Sequence, residues 1–314
     1  MMKIEENISL APFTTFKVGG VARYFVSVTQ KQDLFDSLSW AKEKNLSVFI
    51  LGGGSNVLIS DSGLAGLVIR IQIKGISVSD LNLTVSAGEN LAKLVQFSTE
   101  HSLSGLEWAV GIPGTVGGAI RGNAGAFGKS ISLNVEEVEV INLNTLDVNK
   151  FKKEKCLFDY RDSIFKKDSS LVILSVVLKL EQGEENGVRR LMLENAKSRA
   201  SSCDYGNKSA GCFFKNISWD KVGIDKGELV KAFPEFKKVE NKYKLPAGFL
   251  IQEVGLSGVN IGEAFVSEKH CNYILNKGSA TAVDIKLLAD ICKEKVYKKF
   301  KIKIEEEVQL VGKF

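Results

Sequence analysis

Four features of this chain are chemically suggestive: a run of closely spaced glycines, an arginine flanked by acids, a cysteine behind a small-residue turn, and three consecutive glutamates near the end. In SGLEWAVGIPGTVGGAIRGNAGAFG (104–128) glycine recurs at 105, 111, 114, 117, 118, 122, 125 and 128. The gaps hold Trp108, Ile112, Val116, Ile120 and Phe127, and the only charges are Glu107 and Arg121. A linker of this glycine density would be rich in serine and charge. This run reads instead as tightly folded backbone, with glycine where φ is positive or where something touches the main chain. Bare main chain points N–H groups outward, and these suit a phosphate or a flat cofactor. Any one glycine reads more simply as a turn; the run as a whole reads as a ligand cradle.

A second glycine turn, Gly52, Gly53, Gly54, Ser55 and Asn56, follows the apolar SVFIL (47–51). The residues after it, VLISDSGLAGLVIRI, are β-branched and read as strand. A dinucleotide fingerprint would open a helix here and a P-loop would carry Gly-Lys-Ser/Thr, so neither is present. A nest of N–H groups for a pyrophosphate remains available, with Ser55 and Asn56 as side-chain donors.

Arg161 lies in CLFDYRDSIFKK (156–167). Its guanidinium could hold a carboxylate or a developing oxyanion; from position alone, a surface arginine paired with Asp159 or Asp162 is the stronger reading. Cys212, in SAGCFFKN, reads either as a small buried hydrophobe or as a nucleophile or proton donor at a turn. No histidine is near in sequence, which weakens the thiolate nucleophile. Lys215 and Asn216 add donors for an anionic or sugar ligand. Strand alternation would put Glu305 and Glu307 on one face and Glu306 on the other.

Composition narrows the classes. The chain has 314 residues, 42 Lys and Arg against 37 Asp and Glu, five cysteines and two histidines. This length suits two or three domains. The lysines of 293–303 are followed at once by Glu305–Glu307, so a solvated helix end is read there, with no nucleic-acid partner expected. No apolar run is long enough for a membrane span and the start lacks an apolar signal segment, so a cytoplasmic protein is expected. The cysteines, 156, 203, 212, 271 and 292, are odd in number and form no C-x-x-C pair, so neither a disulfide framework nor a zinc ribbon is expected. His101 and His270 alone make no His-rich metal site, and no metal is assigned.

The elements that must position these residues alternate without a βαβ rhythm, which indicates α+β. A strand ends at residue 28, and Thr29 opens a helix through a capping box with Gln32, with Leu34, Leu38 and Ala41 inward and Asn45 at its close. LTVSAG (83–88) is a strand, and Asn90 begins a helix with Leu91, Leu94, Val95 and Ser98 inward. EEVEVINL (136–143) and LVILSVVLKL (171–180) are strands. EQGEENG (181–187) is a charged loop and a boundary, followed by the helix VRRLMLENAKSR. KSAGCFFKN (208–216) is a turn entering a short strand, and residues 247–276 mix turns and short strands. Thr281 caps a long helix with Val283, Leu287, Leu288, Ile291, Lys295 and Val296 along one side. The chain closes in a strand, IKIEEEVQLVG.

Taken together, TTFKVGGVARY (14–24), LGGGSNVLISD (51–61), the glycine run, YRDSIFK (160–166), AGCFFKN (210–216), AGFLIQEVGLSG (247–258), HCNYILN (270–276) and EEEVQLVG (305–312) resemble the flavin-dependent UDP-N-acetylenolpyruvoylglucosamine reductases, the MurB family. The likeness covers nearly the whole chain in order. IPGTVGGA alone would indicate only the wider flavin fold; YRDS, GCFFKN and the closing E-V-x-x-x-G narrow it. The resemblance implies a two-part FAD-binding region of the PCMH or vanillyl-alcohol-oxidase type plus a C-terminal α+β substrate-binding domain. The divisions are residues 1–72 completed by the strand 301–314, residues 73–186, and residues 187–300. It implies NADPH-dependent reduction of UDP-N-acetylglucosamine enolpyruvate to UDP-N-acetylmuramate in peptidoglycan synthesis, with hydride from FAD N5, by a cytoplasmic monomer.

The same resemblance assigns residues. Gly52, Gly53, Gly54, Ser55, Asn56, Pro113, Gly114, Thr115, Gly117, Gly118, Asn123, Ala124 and Gly125 would hold FAD. Arg161 would stabilise the developing aci-carboxylate, Glu307 would assist it with Glu305 as the neighbouring alternative, and Cys212 would protonate the substrate carbon where the family usually has serine. Lys215, Asn216, Gln252, Glu253, His270 and Asn272 would line the substrate or support its loop. The segment before AGCFFKN lacks the prolines of the family, Ile217 stands where proline is usual, and the tyrosine-bearing insertion of one branch is missing, so the chain resembles the shorter branch. Two other readings stay open: a flavin oxidase of the same fold using oxygen, and a flavin-binding module without turnover.

Overall fold

The computed structural model describes residues 3–202, 204 and 206–314. Met1, Met2, Cys203 and Tyr205, and with them the fifth cysteine of the sequence, lie outside the described residues. The described chain forms two compact units. The first runs to Ile8 and then comprises Ala22–Gly54 and Leu64–Ser201; the second comprises Ser9–Val21, Ser55–Gly63 and Ser202–Phe314.

The first unit holds two sheets. In one, Val48–Leu51 and Val21–Val28 run parallel to the strand Leu64–Ile71 on either side of it, and Glu5–Ser9 forms the outer edge. The helix α1 (Lys31–Glu43) buries Leu34, Leu38 and Ala41, as its spacing predicts. Its start differs from the sequence expectation: the N-cap is Gln30 and no side chain caps it, so the Thr29–Gln32 box does not form. Packing of the apolar stripe therefore sets where this helix begins, at about 1.5–3 kcal/mol for each large side chain buried. Asn45 takes a left-handed φ of 51° beyond its end, the conformation that stops a helix.

The other sheet is antiparallel, in the order Val148–Lys152, Val135–Asn142, Leu171–Lys179, Asn82–Ser86, Ile76–Ser79. The helix α2 (Leu91–Glu100) is capped by the Asn90 side chain, which accepts from Ala92 N, and buries Leu91, Leu94, Val95 and Ser98 as expected. Two short helices follow, α3 (Val116–Arg121) inside the glycine run and α4 (Ile164–Lys167). The segment 181–187 is not a plain loop. Glu181–Gln182 pair with Leu103–Ser104, and α5 (Glu185–Ser202) already starts within it.

The second unit is built from shorter pieces around α8 (Ala282–Phe300). Thr281 and Asp284 form the expected capping box, and Asp61 accepts from Ala282 N and Val283 N. The buried face is Ala282, Ile285, Leu288, Ala289, Cys292, Val296 and Phe300, rotated from the expected stripe. Val283 and Leu287 are instead about half exposed, because the small residues Ala282 and Ala289 mark the side that packs closest. Two helices, α6 (Lys226–Ala232) and α7 (Ala247–Glu253), were not expected, the latter inside a stretch read as turns and strands. The closing strand shrinks to Gln309–Val311, parallel to Val57–Ile59. The α+β class holds, and among the described residues no helix is long and apolar enough to cross a membrane.

Candidate functional site

The first unit contributes a platform of bare main chain. Gly53 and Gly114 meet backbone to backbone: a Cβ on Gly53 would lie 2.7 Å from the Gly114 Cα. One on Gly52 would lie 2.7 Å from Thr115 Oγ1, and one on Gly117 would lie 2.8 Å from the Ala87 Cβ. Gly54 and Gly114 have φ of 63° and 121°, which other residues rarely adopt. The two glycine turns, about sixty positions apart in the chain, thus form one surface that any side chain would separate.

The start of α3 completes that surface. The Thr115 side chain accepts from Gly118 N, Val116 N donates to Glu89 O and Gly117 N to Ala87 O. Leu91 N donates to Gly114 O, so α2 and α3 start at the same turn. The buried Glu107 has its carboxylate on Gly105 N, and Trp108 Nε1 donates to Gly105 O. Glycine in this run therefore serves both positive φ and close approach, as the sequence suggested.

Downstream, the run is tied to Arg161. Asp159 and Asp162 pair through both backbone groups at 3.1 Å, closing a tight turn that presents Tyr160 and Arg161, the latter at φ 54°. Arg161 Nη2 donates to Gly125 O at 2.7 Å, and the guanidinium lies over the Tyr160 ring. Asn123 Nδ2 donates to Asp159 O at 2.8 Å while its Oδ1 accepts from Ser132 N; Ala124 O accepts from Ile131 N. Asp162 is paired with Lys167. The expected surface arginine is thus half-buried against the glycine run. Sequence reasoning passed over Arg121, whose pKa is lowered by burial and raised by nearby Asp162, and Ser163, which donates to Arg121 O. Their link to the turn joins positions 42 apart, which no local spacing reveals.

In the second unit the strip Cys212–Phe214 is the centre. Gly211 has φ 76°, Cys212 is half-buried and forms an isolated antiparallel bridge with Tyr273, and Phe214 bridges Glu306. Glu307 N donates to Phe213 O at 2.8 Å, so Cys212 and Glu307 sit on adjacent strips. The expected strand alternation of the glutamates fails, because 305–307 pairs through isolated contacts and not a ladder. Glu305 is 78% exposed beside Lys215 Nζ, Glu306 is paired with Lys293, and Glu307 is half-buried.

Other expected ligand residues have partners within this unit. Asn56 Nδ2 donates to Glu307 O at 3.2 Å, so its amide touches the glutamate strip. Asn216 Oδ1 accepts from Ala247 N at the start of α7. Glu253 Oε1 lies 3.3 Å from Lys238, and Gln252 is exposed on the same helix. Asn272 is 2% exposed with its amide on the Phe214 backbone. His270 Nδ1 accepts from Asn272 N, and burial lowers its pKa against the attraction of Asp204. Burial pushes the Cys156 thiol up to about 11 and that of Cys292 up to about 12, which leaves both unreactive. Ser55 occupies the turn after Gly54, and Pro113 the one before Gly114.

Comparison with known proteins places this arrangement. Residues 22–145 match the family described as FAD binding domain, and residues 203–311 match UDP-N-acetylenolpyruvoylglucosamine reductase, C-terminal domain. The chain is 37% identical to the UDP-N-acetylenolpyruvoylglucosamine reductase of Synechococcus sp. (strain JA-3-3Ab), across 99% of this chain and 92% of the relative. It is 37% identical to that of Acaryochloris marina, across 99% and 94%. The crystal structure of the reductase from Thermus caldophilus superposes with TM-score 0.77 at 30% identity, covering 99% of this chain and all of that one. The expected FAD-binding PCMH-type fold with a C-terminal reductase domain is borne out, and the chain belongs to the UDP-N-acetylenolpyruvoylglucosamine reductase family.

Proposed function

We propose that the protein is an FAD-dependent reductase that uses NADPH to convert UDP-N-acetylglucosamine enolpyruvate to UDP-N-acetylmuramate. The observation that carries the reading is the bond from Glu307 N to Phe213 O, which sets a half-buried thiol and a half-buried carboxylate on neighbouring strips. The glycine platform would hold the cofactor through Gly52–Gly54, Pro113, Gly114, Thr115, Gly117, Gly118 and Asn123–Gly125, and within it a Cβ on Gly53 or Gly125 would meet backbone closer than 3 Å. FAD held there would supply, after reduction by NADPH, the hydride chemistry needed at the terminal carbon of the enolpyruvyl group.

The chain's own residues handle the charge and the proton. Hydride addition leaves negative charge on the substrate carboxylate, and Arg161 holds it with a delocalised cation fixed by Gly125 and Tyr160. One such contact is worth about 2.7–4 kcal/mol in a transition state. Cys212 Sγ gives its proton to the carbon bearing the carboxylate. A thiol, with a reference pKa of about 8.5, is a stronger acid than the serine common at this position. Glu307 is the carboxylate that orients this exchange; Glu305 is exposed beside Lys215, which leaves it a surface role. Lys215, Asn216, Gln252, Glu253 and His270 are the candidates for contact with the UDP-sugar or for support of its loop.

Two separate sheets in the first unit, one before residue 72 and one after, support reading residues 1–72 and 73–186 as two FAD-binding subdomains. Residues 301–314 return to the 1–72 segment through the pairing of Gln309–Val311 with Val57–Ile59, two strands that both lie in the second compact unit, and 187–300 is the substrate domain in this reading. The protein acts as a monomer in the cytoplasm in this reading.

The test is anaerobic visible spectroscopy on the purified flavoprotein. NADPH should bleach the flavin band, and UDP-GlcNAc-enolpyruvate, but not UDP-GlcNAc, should restore it. Recovery only on admission of air would indicate an oxidase. Failure to retain FAD at all would overturn the assignment of the glycine platform.

A further inference from the structure

The strip that carries Cys212 has almost no sheet to hold it. Its two bridges, to Tyr273 and to Glu306, are isolated, so no ladder fixes its register. Lys215 N donates to Glu305 O on one edge, and a single residue holds the other. Asn272 O accepts from Phe213 N at 2.7 Å, its Oδ1 accepts from Phe214 N at 2.9 Å, and its Nδ2 donates to Phe214 O at 2.8 Å. A side-chain amide carries one acceptor and a donor in the same relation as a peptide group. Here it stands in for a missing peptide of a neighbouring strand. The fourth backbone group, Phe213 O, accepts from Glu307 N. The backbone of Phe213 and Phe214 is thus saturated, with three bonds from Asn272 and, on Phe213 O, Glu307 N at 2.8 Å and Val308 N at 3.4 Å.

Asn272 is in turn fixed by a closed turn. Ser267 N donates to Tyr273 O at 2.9 Å, and Tyr273 N to His270 O at 2.8 Å. Ser267 Oγ accepts from Lys269 N and His270 N and donates to Asp204 Oδ2 at 2.5 Å. Asn272 N donates to His270 Nδ1, which requires that nitrogen to be unprotonated.

We infer that Asn272 is a positioning residue for the proton transfer: its amide sets the register of 212–214 and so the relation of the Cys212 thiol to Glu307. The inference rests on the functional reading above. It sharpens the expectation that this residue lines the substrate or supports its loop. A purely stabilising role would lower the number of folded molecules and leave the rate of each unchanged. A positioning role slows the transfer in every folded molecule, since small displacements of a reacting group are costly in rate.

The experiment uses the full-length flavoprotein with Asn272→Asp, which keeps the shape and the acceptor but removes the donor to Phe214 O. Flavin content and anaerobic bleaching by NADPH should match the wild type. Single-turnover reoxidation of the reduced enzyme by UDP-GlcNAc-enolpyruvate should slow about 10- to 100-fold. Its solvent deuterium isotope effect should rise, because the proton step becomes the slower one. In a Cys212→Ala background the same change should have little further effect, within about twofold, since the two act as one unit. A wild-type single-turnover rate in folded Asn272→Asp, or full additivity with Cys212→Ala, would overturn the inference. Should the buried carboxylate prevent folding, Asn272→Ala removes both side-chain bonds without adding a charge and is read in the same way. A wild-type enzyme that is not reoxidised by this substrate would instead overturn the functional reading itself, and this inference with it.

Discussion

The glycine platform of the first unit and the cysteine strip of the second use the main chain in opposite ways. The platform is made by subtraction: at Gly52, Gly53 and Gly117 a single added carbon would meet an atom closer than 3 Å. The strip is made by addition, since its backbone is held by a borrowed amide and by the neighbouring glutamate strip. The first region should therefore fail when atoms are added and the second when atoms are removed. A cofactor that stays bound is suited by rigid backbone, whereas a proton donor needs one side chain held at a set place.

The sharpest break falls on the strip. Cys212→Ala should lower the single-turnover rate with substrate by about 10²–10⁴, the usual contribution of a placed general acid, while flavin content stays constant. Cys212→Ser should restore much of it, and loss of alkylation by iodoacetamide in that variant would sharpen the assignment. On the platform, Gly53→Val should release the flavin and destabilise the unit by about 1–3 kcal/mol through forced separation of the two turns. Flavin fluorescence in the filtrate and urea midpoints would measure both, and retention of FAD would break the comparison. A milder change, Thr115→Ala, removes the cap of α3 and should cost about 1 kcal/mol, with weaker FAD binding as the readout.

The smallest effect is in pH. Burial depresses the folded pKa of His270 below its ordinary 6.5. As pH falls through 6.5 the unfolded chain takes up a proton that the folded chain resists, so this group's contribution to stability declines until the folded pKa is reached. It is constant above 6.5. The slope from one group is at most about 1.4 kcal/mol per pH unit. Urea midpoints at pH 7.5 and 5.5 should converge between wild type and His270→Gln at the lower value. A gap that widens there would contradict the burial of a neutral imidazole.

Local signals were legible where one residue and its near neighbours decide the outcome. Asn90 and Thr281 cap their helices as their spacing predicts, and the inward stripe of α2 is the one expected. Thr29 does not cap α1 despite a suitable Gln32, because a cap of about 1 kcal/mol yields to the packing of Leu34 and Leu38. The helix α7 hid in a stretch with glycines at both ends, and its start is held by Asn216, 31 residues away. The phase of α8 was misread because lysines and apolar residues alternate along it; contact with the rest of the unit, including Phe236 and Phe300, selects the buried side.

By itself the sequence determined the family, through glycine density and the order of its motifs. It did not separate Glu305 from Glu307, nor the amides that serve ligand from those that serve backbone. Tertiary structure decided their surroundings: Glu305 is exposed beside Lys215, and Glu307 is half-buried. Asn272 reaches Phe214 across 58 residues and Asn56 reaches Glu307 across 251. Side-chain periodicity reports which face of an element is apolar, but a buried amide is satisfied by whatever folding brings beside it, and that partner leaves no mark in the local pattern.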